Sequence, residues 1–138
     1  MSARGLSRSP PMTRAKHHRS VAFHAQGGRC YYCSQPMWLS DHVSFAQRHG
    51  ISTAQARQLQ CTAEHLQPKA TGGTLCRSNV VAACLFCNRT RGKVSPAPEP
   101  QKFRQRVRAR CNSGKWHSLF LAGTPNNSSK PTPLRGAA

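Results

Sequence analysis

Acidic residues are almost missing from the sequence. Three Asp and Glu stand against 21 Lys and Arg, which gives a formal net charge of +18 at pH 7. Such a chain attracts polyanions, because its basic side chains displace the counterions condensed on DNA or RNA. We therefore predict a nucleic-acid partner. A ribosomal protein, a membrane-surface protein or a basic tail alone would explain the same charge, and these alternatives stay open here.

Long apolar runs are missing too. No stretch approaches the roughly 20 apolar residues that a membrane-spanning helix needs, so we expect no membrane partner. Residues 1–20 have no apolar core and therefore do not form a secretory signal. Their Arg and Ser content also suits an organellar transit peptide, but Pro10 and Pro11 interrupt an amphipathic helix there. We expect a basic flexible arm and a cytoplasmic protein.

Aromatic side chains are scarce, at 7% of the residues, which predicts a small core. Small domains are often stabilised by a metal or by disulfides, and this chain has seven cysteines. In a protein that is not secreted, paired cysteines indicate metal ligands before disulfides. The spacing of the cysteines therefore decides which stabilising feature we predict.

Four of the cysteines form two pairs with the same internal spacing: Cys30 and Cys33, then Cys84 and Cys87. Two intervening residues allow both thiolates of a turn to bind one ion, and two such pairs complete a tetrahedral zinc site. A site with four thiolates is structural, because it leaves no position for water or substrate. The alternatives are a redox dithiol, unrelated thiols, or another zinc set that includes Cys61 or Cys76.

Composition divides the chain into four segments. We predict a basic flexible arm over 1–22, a domain with six of the seven cysteines over 23–95, a linker with a basic C-terminal helix over 96–122, and a disordered tail over 123–138. The C-terminal helix, predicted over 101–111, has apolar residues on one face and a stripe of cations at i, i+4 spacing on another. The apolar face comprises Phe103 and Val107, and the stripe comprises Lys102, Arg106 and Arg110.

From residue 52 to residue 92 the sequence predicts a short helix and then, in order, a strand, a loop, a second strand and a second helix. Caps, glycines and short apolar runs mark these elements. They are a helix over 54–60 after a cap at Ser52-Thr53, a strand over 61–66, a loop at Gly72-Gly73, a strand over 80–83 and a helix over 84–92. The stretch 37–59 receives no predicted function.

Two stretches of this segment carry a recognisable pattern. The chain reads TAEHLQPKATGG from residue 62 and NVVAACLFCNRTRGK from residue 79. An acid, a His, a Pro, a Gly-rich loop, an Asn and a Cys-x-x-Cys-Asn helix occur in that order. This pattern resembles the HNH endonuclease family over about residues 23–95. The resemblance implies a small α+β fold with a ββα-metal core that is bracketed by a four-cysteine zinc knuckle, with disordered basic tails.

The resemblance also implies a role for four side chains. His65 corresponds to the general base, Glu64 and Asn88 to the ligands of a catalytic divalent metal, and Asn79 to the residue that holds the loop presenting the histidine. The chemistry agrees, because histidine titrates near neutral pH and Mg²⁺ prefers oxygen ligands. The family more often has Asp or His at the position of Glu64, so metal coordination here is expected to be looser or to pass through water.

Neighbouring residues of a strand point to opposite faces. Glu64 and His65 can therefore serve one site only if the strand kinks or if the metal lies at its end. The basic residues that follow Asn88 either bind phosphates or form a solvated helix face, namely Arg89, Arg91 and Lys93.

The sequence thus predicts a metal-dependent endonuclease that hydrolyses phosphodiester bonds of DNA. Its partner is expected to be double-stranded DNA, its cofactors a structural Zn²⁺ and a catalytic Mg²⁺ or other divalent cation, and its source a bacterium or phage. One alternative is a catalytically inactive, zinc-dependent nucleic-acid-binding protein, and another is a zinc-ribbon protein of a ribonucleoprotein. The presence of Glu64, His65 and Asn88 together favours the endonuclease over both alternatives.

Overall fold

A computed structural model describes residues 13–68 and 72–117. This part of the chain contains five α-helices and two strands. In chain order they are α1 Arg14–Ala25, α2 His42–His49, α3 Thr53–Arg57, β1 Cys61–His65, β2 Val80–Cys84, α4 Leu85–Gly92 and α5 Pro100–Asn112, with a 3₁₀ turn at Arg77–Asn79. The predicted tail over 123–138 lies outside the described residues.

The two strands form an antiparallel sheet. Cys61 lies opposite Cys84, and His65 lies opposite Val80. Helix α4 begins directly after β2 and packs against both strands. The predicted small α+β fold, with its order of strand, loop, strand and helix, is confirmed. This arrangement places the end of β1 beside α4, where the predicted site residues lie.

Helix α1 begins inside the segment that was predicted to be a flexible arm. The Thr13 hydroxyl accepts a hydrogen bond from the Lys16 amide (3.2 Å) and caps the helix, and α1 packs against both strands. Beyond its end, the Gln26 side chain exchanges two hydrogen bonds with the backbone of Ala82, at 2.9 and 3.0 Å. The structure therefore differs from the predicted arm at residues 14–22. Residues 1–12 lie outside the described part.

Helices α2 and α3 occupy the stretch for which the sequence predicted no function. The Asp41 carboxylate accepts a hydrogen bond from the Ser44 amide (3.0 Å), and Gly50 ends α2 in the left-handed conformation. Ser52 and Gln55 form a capping box at the start of α3, so the helix that was predicted over 54–60 is shorter. Both helices contribute to the core, and Phe45 of α2 is buried there.

Helix α5 closes the core from the C-terminal side. Glu99 caps it by accepting a hydrogen bond from the Lys102 amide (3.0 Å), and Pro100 fits the first helical turn, where no amide proton is needed. Phe103 and Val107, which were predicted to share one face of this helix, are both buried, and the Phe103 ring meets the Tyr32 ring edge-on at 4.9 Å. Within residues 13–68 and 72–117, no helix has the length and apolar character to cross a membrane.

Candidate functional site

The two cysteine pairs meet at one point of the core. The Sγ atoms of Cys30, Cys33, Cys84 and Cys87 lie within 4.8 Å of one another, and all four residues are buried. A tetrahedron with zinc–sulfur bonds of about 2.3 Å has edges of about 3.8 Å, and Cys33 Sγ lies 3.9 Å from Cys84 Sγ. None of these four cysteines forms a disulfide. The cluster therefore fits the predicted zinc knuckle.

Hydrogen-bond donors surround the thiol sulfurs. The amides of Tyr32 and Cys84 each lie 3.3 Å from Cys30 Sγ, and the indole N–H of Trp116 donates to Cys87 Sγ at 3.2 Å. N–H groups directed at sulfur stabilise thiolates, the form that binds zinc. The soft donor set suits zinc better than Mg²⁺ or Ca²⁺, which prefer oxygen.

The other three cysteines lie outside the cluster. Burial raises the pKa of Cys61 and of Cys111 to about 12, so both stay protonated and pack as small apolar side chains. Cys76 is exposed, and hydrogen bonds with the hydroxyls of Ser78 and Thr74 lower its pKa to about 7. In the part of the chain that the structure describes, no second metal-binding group includes Cys61 or Cys76. That alternative zinc set is therefore not found.

A cavity of about 520 Å³ lies beside β1 and α4. Three of the predicted site residues line it, namely Glu64, His65 and Asn88. His65 is the last residue of β1. Glu64 and His65 therefore both line the cavity at the end of the strand, which is one of the two arrangements that the alternation of strand residues allows. Residues 94–97, which follow α4, form another wall.

Glu64 is 5% exposed and is held through one carboxylate oxygen. Its Oε2 atom accepts a hydrogen bond from the Tyr32 hydroxyl (2.8 Å) and forms an ion pair with Arg91 Nη1 (2.6 Å). Burial raises the pKa of Glu64, while its bonds to Arg91 and Tyr32 oppose that rise. Its other oxygen, Oε1, makes no hydrogen bond to any residue that the structure describes.

Arg91 is 3% exposed and links three segments. Besides Glu64, its guanidinium donates to the carbonyls of His65 (3.0 Å) and Leu66 (2.9 Å). It also donates twice to the carbonyl of Pro98, from Nε at 3.0 Å and from Nη2 at 2.8 Å. The geometry therefore assigns Arg91 to the interior, whereas Arg89 and Lys93 of the same basic run are exposed.

The loop after His65 is held by Asn79. The Asn79 side chain accepts a hydrogen bond from the Gln67 amide (2.8 Å) and donates to the carbonyls of Gln67 (3.0 Å) and Thr74 (2.8 Å). The backbone at residue 73 comes so close to Gln67 that only glycine fits, since a Cβ on Gly73 would lie 1.7 Å from the Gln67 carbonyl oxygen. The His65 Nε2 atom is buried and has no hydrogen-bond partner among the described residues.

Asn88 is oriented by Thr62. Its Nδ2 donates to the Thr62 hydroxyl (2.9 Å), which in turn donates to the Ala83 carbonyl (2.6 Å). These bonds fix the amide, whose Oδ1 has no hydrogen bond within residues 13–68 and 72–117. Glu64 Oε1 and Asn88 Oδ1 are the type of ligand that Mg²⁺ prefers. The residues around the cavity therefore fit a divalent cation.

Two residues of the site were missed at the sequence level. Tyr32 was interpreted only as a spacer between two cysteines, and Arg91 only as a phosphate-binding or solvated residue. One signal does identify Arg91, because it follows Cys87 by four residues and therefore lies on the same face of α4. The contact between Tyr32 and Glu64 joins residues from distant parts of the chain, so local spacing does not predict it.

Comparison with known proteins agrees with this geometry. The model of a family described as HNH endonuclease matches residues 30–93, from the first cysteine of the cluster to the residue after α4. No curated protein and no solved structure gives a significant match to the chain.

Proposed function

We propose that this protein hydrolyses phosphodiester bonds of DNA with His65 as the general base, a proposal supported by the match of residues 30–93 to the HNH endonuclease family model. The observation that carries the proposal is the cavity in which His65, Glu64 and Asn88 meet. Three atoms there lack protein hydrogen bonds within the described residues: His65 Nε2, Glu64 Oε1 and Asn88 Oδ1.

In this proposal His65 takes a proton from the attacking water. Asn79 keeps the histidine in place by fixing the loop that follows it. Glu64 and Asn88 would hold a divalent cation, Mg²⁺ or a similar ion, which stabilises negative charge on the phosphate oxygens when bound. The zinc knuckle has a separate, structural role, because four thiolates leave no position for substrate.

The charge distribution supports a nucleic-acid substrate. All three acidic side chains are engaged: Asp41 and Glu99 cap helices, and Glu64 is in the buried ion pair. The cationic stripe of α5 is exposed and comprises Lys102, Arg106 and Arg110. Cations four residues apart on a helix are about 6 Å apart along its axis, which suits contacts with successive phosphates.

Nicking of supercoiled plasmid tests the proposal. We expect conversion to open circles in Mg²⁺ or Mn²⁺ and none when a chelator removes the catalytic ion. The chelator should be titrated below the level that removes zinc, and zinc content should be measured in parallel. Purified protein that binds DNA but never nicks it in Mg²⁺, Mn²⁺, Co²⁺ or Ni²⁺ would favour the inactive binding protein instead.

DNA affinity should fall steeply with salt. If roughly six phosphates are neutralised, the logarithm of affinity should fall with the logarithm of salt concentration at a slope of about −5. Replacing Lys102, Arg106 and Arg110 with Gln should reduce that slope by about 3. The matched control exchanges Lys and Arg at the same three positions and should keep the slope. An unchanged slope in the Gln variant, measured by fluorescence anisotropy, would exclude the α5 stripe from the interface.

A further inference from the structure

The zinc knuckle and the cavity are connected through Tyr32. This residue lies in the turn between Cys30 and Cys33, and its side chain is fully buried. Its ring packs edge-on against Phe103 at 4.9 Å, and its hydroxyl donates to Glu64 Oε2 at 2.8 Å. The turn that supplies the first two thiols therefore also supplies a hydrogen bond to the predicted metal ligand.

The second cysteine pair provides a matching connection through Arg91. Arg91 follows Cys87 by one turn of α4, and its Nη1 lies 2.6 Å from the same Oε2 atom. Two further bonds of Arg91 fix the backbone carbonyls of His65 and Leu66, which follow Glu64 directly. Each half of the zinc knuckle thus contributes one side chain that holds Glu64.

Both contacts use Oε2, so Oε1 of this cavity-lining residue has no hydrogen bond among the described residues. We propose that Tyr32 and Arg91 are positioning residues that fix Glu64 through Oε2, so that Oε1 is presented to the catalytic cation. This inference rests on the proposed function. It follows that the zinc knuckle sets the geometry of the catalytic metal site as well as stabilising the fold, because Tyr32 lies in its first cysteine turn and Arg91 lies on the helix that contains Cys87.

The Tyr32→Phe variant tests the inference with a small change. It removes one hydroxyl and keeps the ring that packs against Phe103. The matched control is Tyr31→Phe, because the Tyr31 hydroxyl lies in the same turn but accepts a hydrogen bond from Gln101 instead (3.1 Å). Mn²⁺ binding to zinc-loaded protein without DNA is measured from the electron paramagnetic resonance signal of the free ion. Nicking is then measured as a function of Mn²⁺ concentration.

We expect Tyr32→Phe to bind Mn²⁺ about 10-fold more weakly, since removal of a group that orients a metal ligand typically costs about 10–100-fold. Nicking at saturating Mn²⁺ should stay close to the wild-type rate, and Tyr31→Phe should match wild type in both assays. Arg91→Lys keeps the charge but loses the planar fork, and it should also weaken Mn²⁺ binding.

Three outcomes would contradict these expectations in different ways. If wild type binds Mn²⁺ and nicks, and Tyr32→Phe binds Mn²⁺ equally well, the positioning role is wrong while the proposed function stands. If wild type neither binds Mn²⁺ nor nicks, the proposed function fails, and the positioning role fails with it. Equal weakening in Tyr31→Phe and Tyr32→Phe would assign the effect to the turn in general and would also overturn the role of the Tyr32 hydroxyl.

Discussion

Replacement of His65 with alanine should lower the rate of cleavage by about 10²–10⁴ while DNA affinity and zinc content stay unchanged. A general base acts only as the water attacks, so its loss changes the chemical step far more than substrate binding. The His65 Nε2 atom makes no protein hydrogen bond among the described residues, so its removal leaves no structural donor or acceptor unpaired. Single-turnover nicking at saturating protein measures this step directly.

Two variants separate the base from the metal ligands. Asn88→Ala should lose activity at low Mg²⁺ and recover part of it in excess Mn²⁺, because a weakened metal site still fills at high ion concentration. His65→Ala should not recover in this way. His17→Ala, an exposed histidine of α1, is the control for loss of an imidazole. Cleavage by the His65→Ala protein at the wild-type rate, with contaminating nuclease excluded, would rule out the assigned base.

The largest effect on stability is expected from loss of a zinc ligand. Cys33→Ser should yield a protein that binds zinc weakly and melts at a much lower temperature or does not fold. Structural zinc contributes on the order of 10 kcal/mol to the folding of zinc-finger peptides, and a small domain typically has only about 5–15 kcal/mol of net stability. Elemental analysis of wild type should give one zinc per chain, and thermal unfolding followed by circular dichroism measures the loss.

Cys76→Ser is the matched control for this change. It replaces the same atom at an exposed cysteine outside the cluster, so zinc content and melting temperature should both match wild type. A folded Cys33→Ser protein with full zinc content would contradict the four-cysteine site. A wild-type protein that is folded and free of zinc after extensive dialysis would do the same.

Local spacing was sufficient to predict the centre of this fold. The two cysteine pairs, β1, β2 and α4 follow from Cys-x-x-Cys turns, short apolar runs and the Gly-rich loop, all of which are encoded within a few residues. The resemblance to the HNH endonuclease family implied that Glu64, His65 and Asn88 belong to one site, and the structure places all three around one cavity. Whether they perform the predicted chemistry remains a prediction.

Helix α1 was missed because its tertiary contacts are distant in sequence. The helix has no fully buried residue and therefore no apolar stripe that would mark it. Its position depends partly on Gln26, whose side chain pairs with the backbone of Ala82 much as another strand would. The bonds of Glu64 to Tyr32 and Arg91 were not predicted from the sequence for the same reason, since each joins residues more than 25 positions apart.

The short helix α4 has a consequence for how this sequence can vary. The spacing i, i+3, i+4 and i+7 of one helix face relates its N-cap residue Cys84 to three residues of the helix, namely Cys87, Asn88 and Arg91. A single residue inserted between Cys87 and Asn88 would rotate the rest of the helix by about 100°. Asn88 and Arg91 would then turn away from the cavity, while the thiols stayed in place. The helical phase between Cys87 and Arg91 must therefore be kept if the cysteine cluster and the cavity are both to keep their residues.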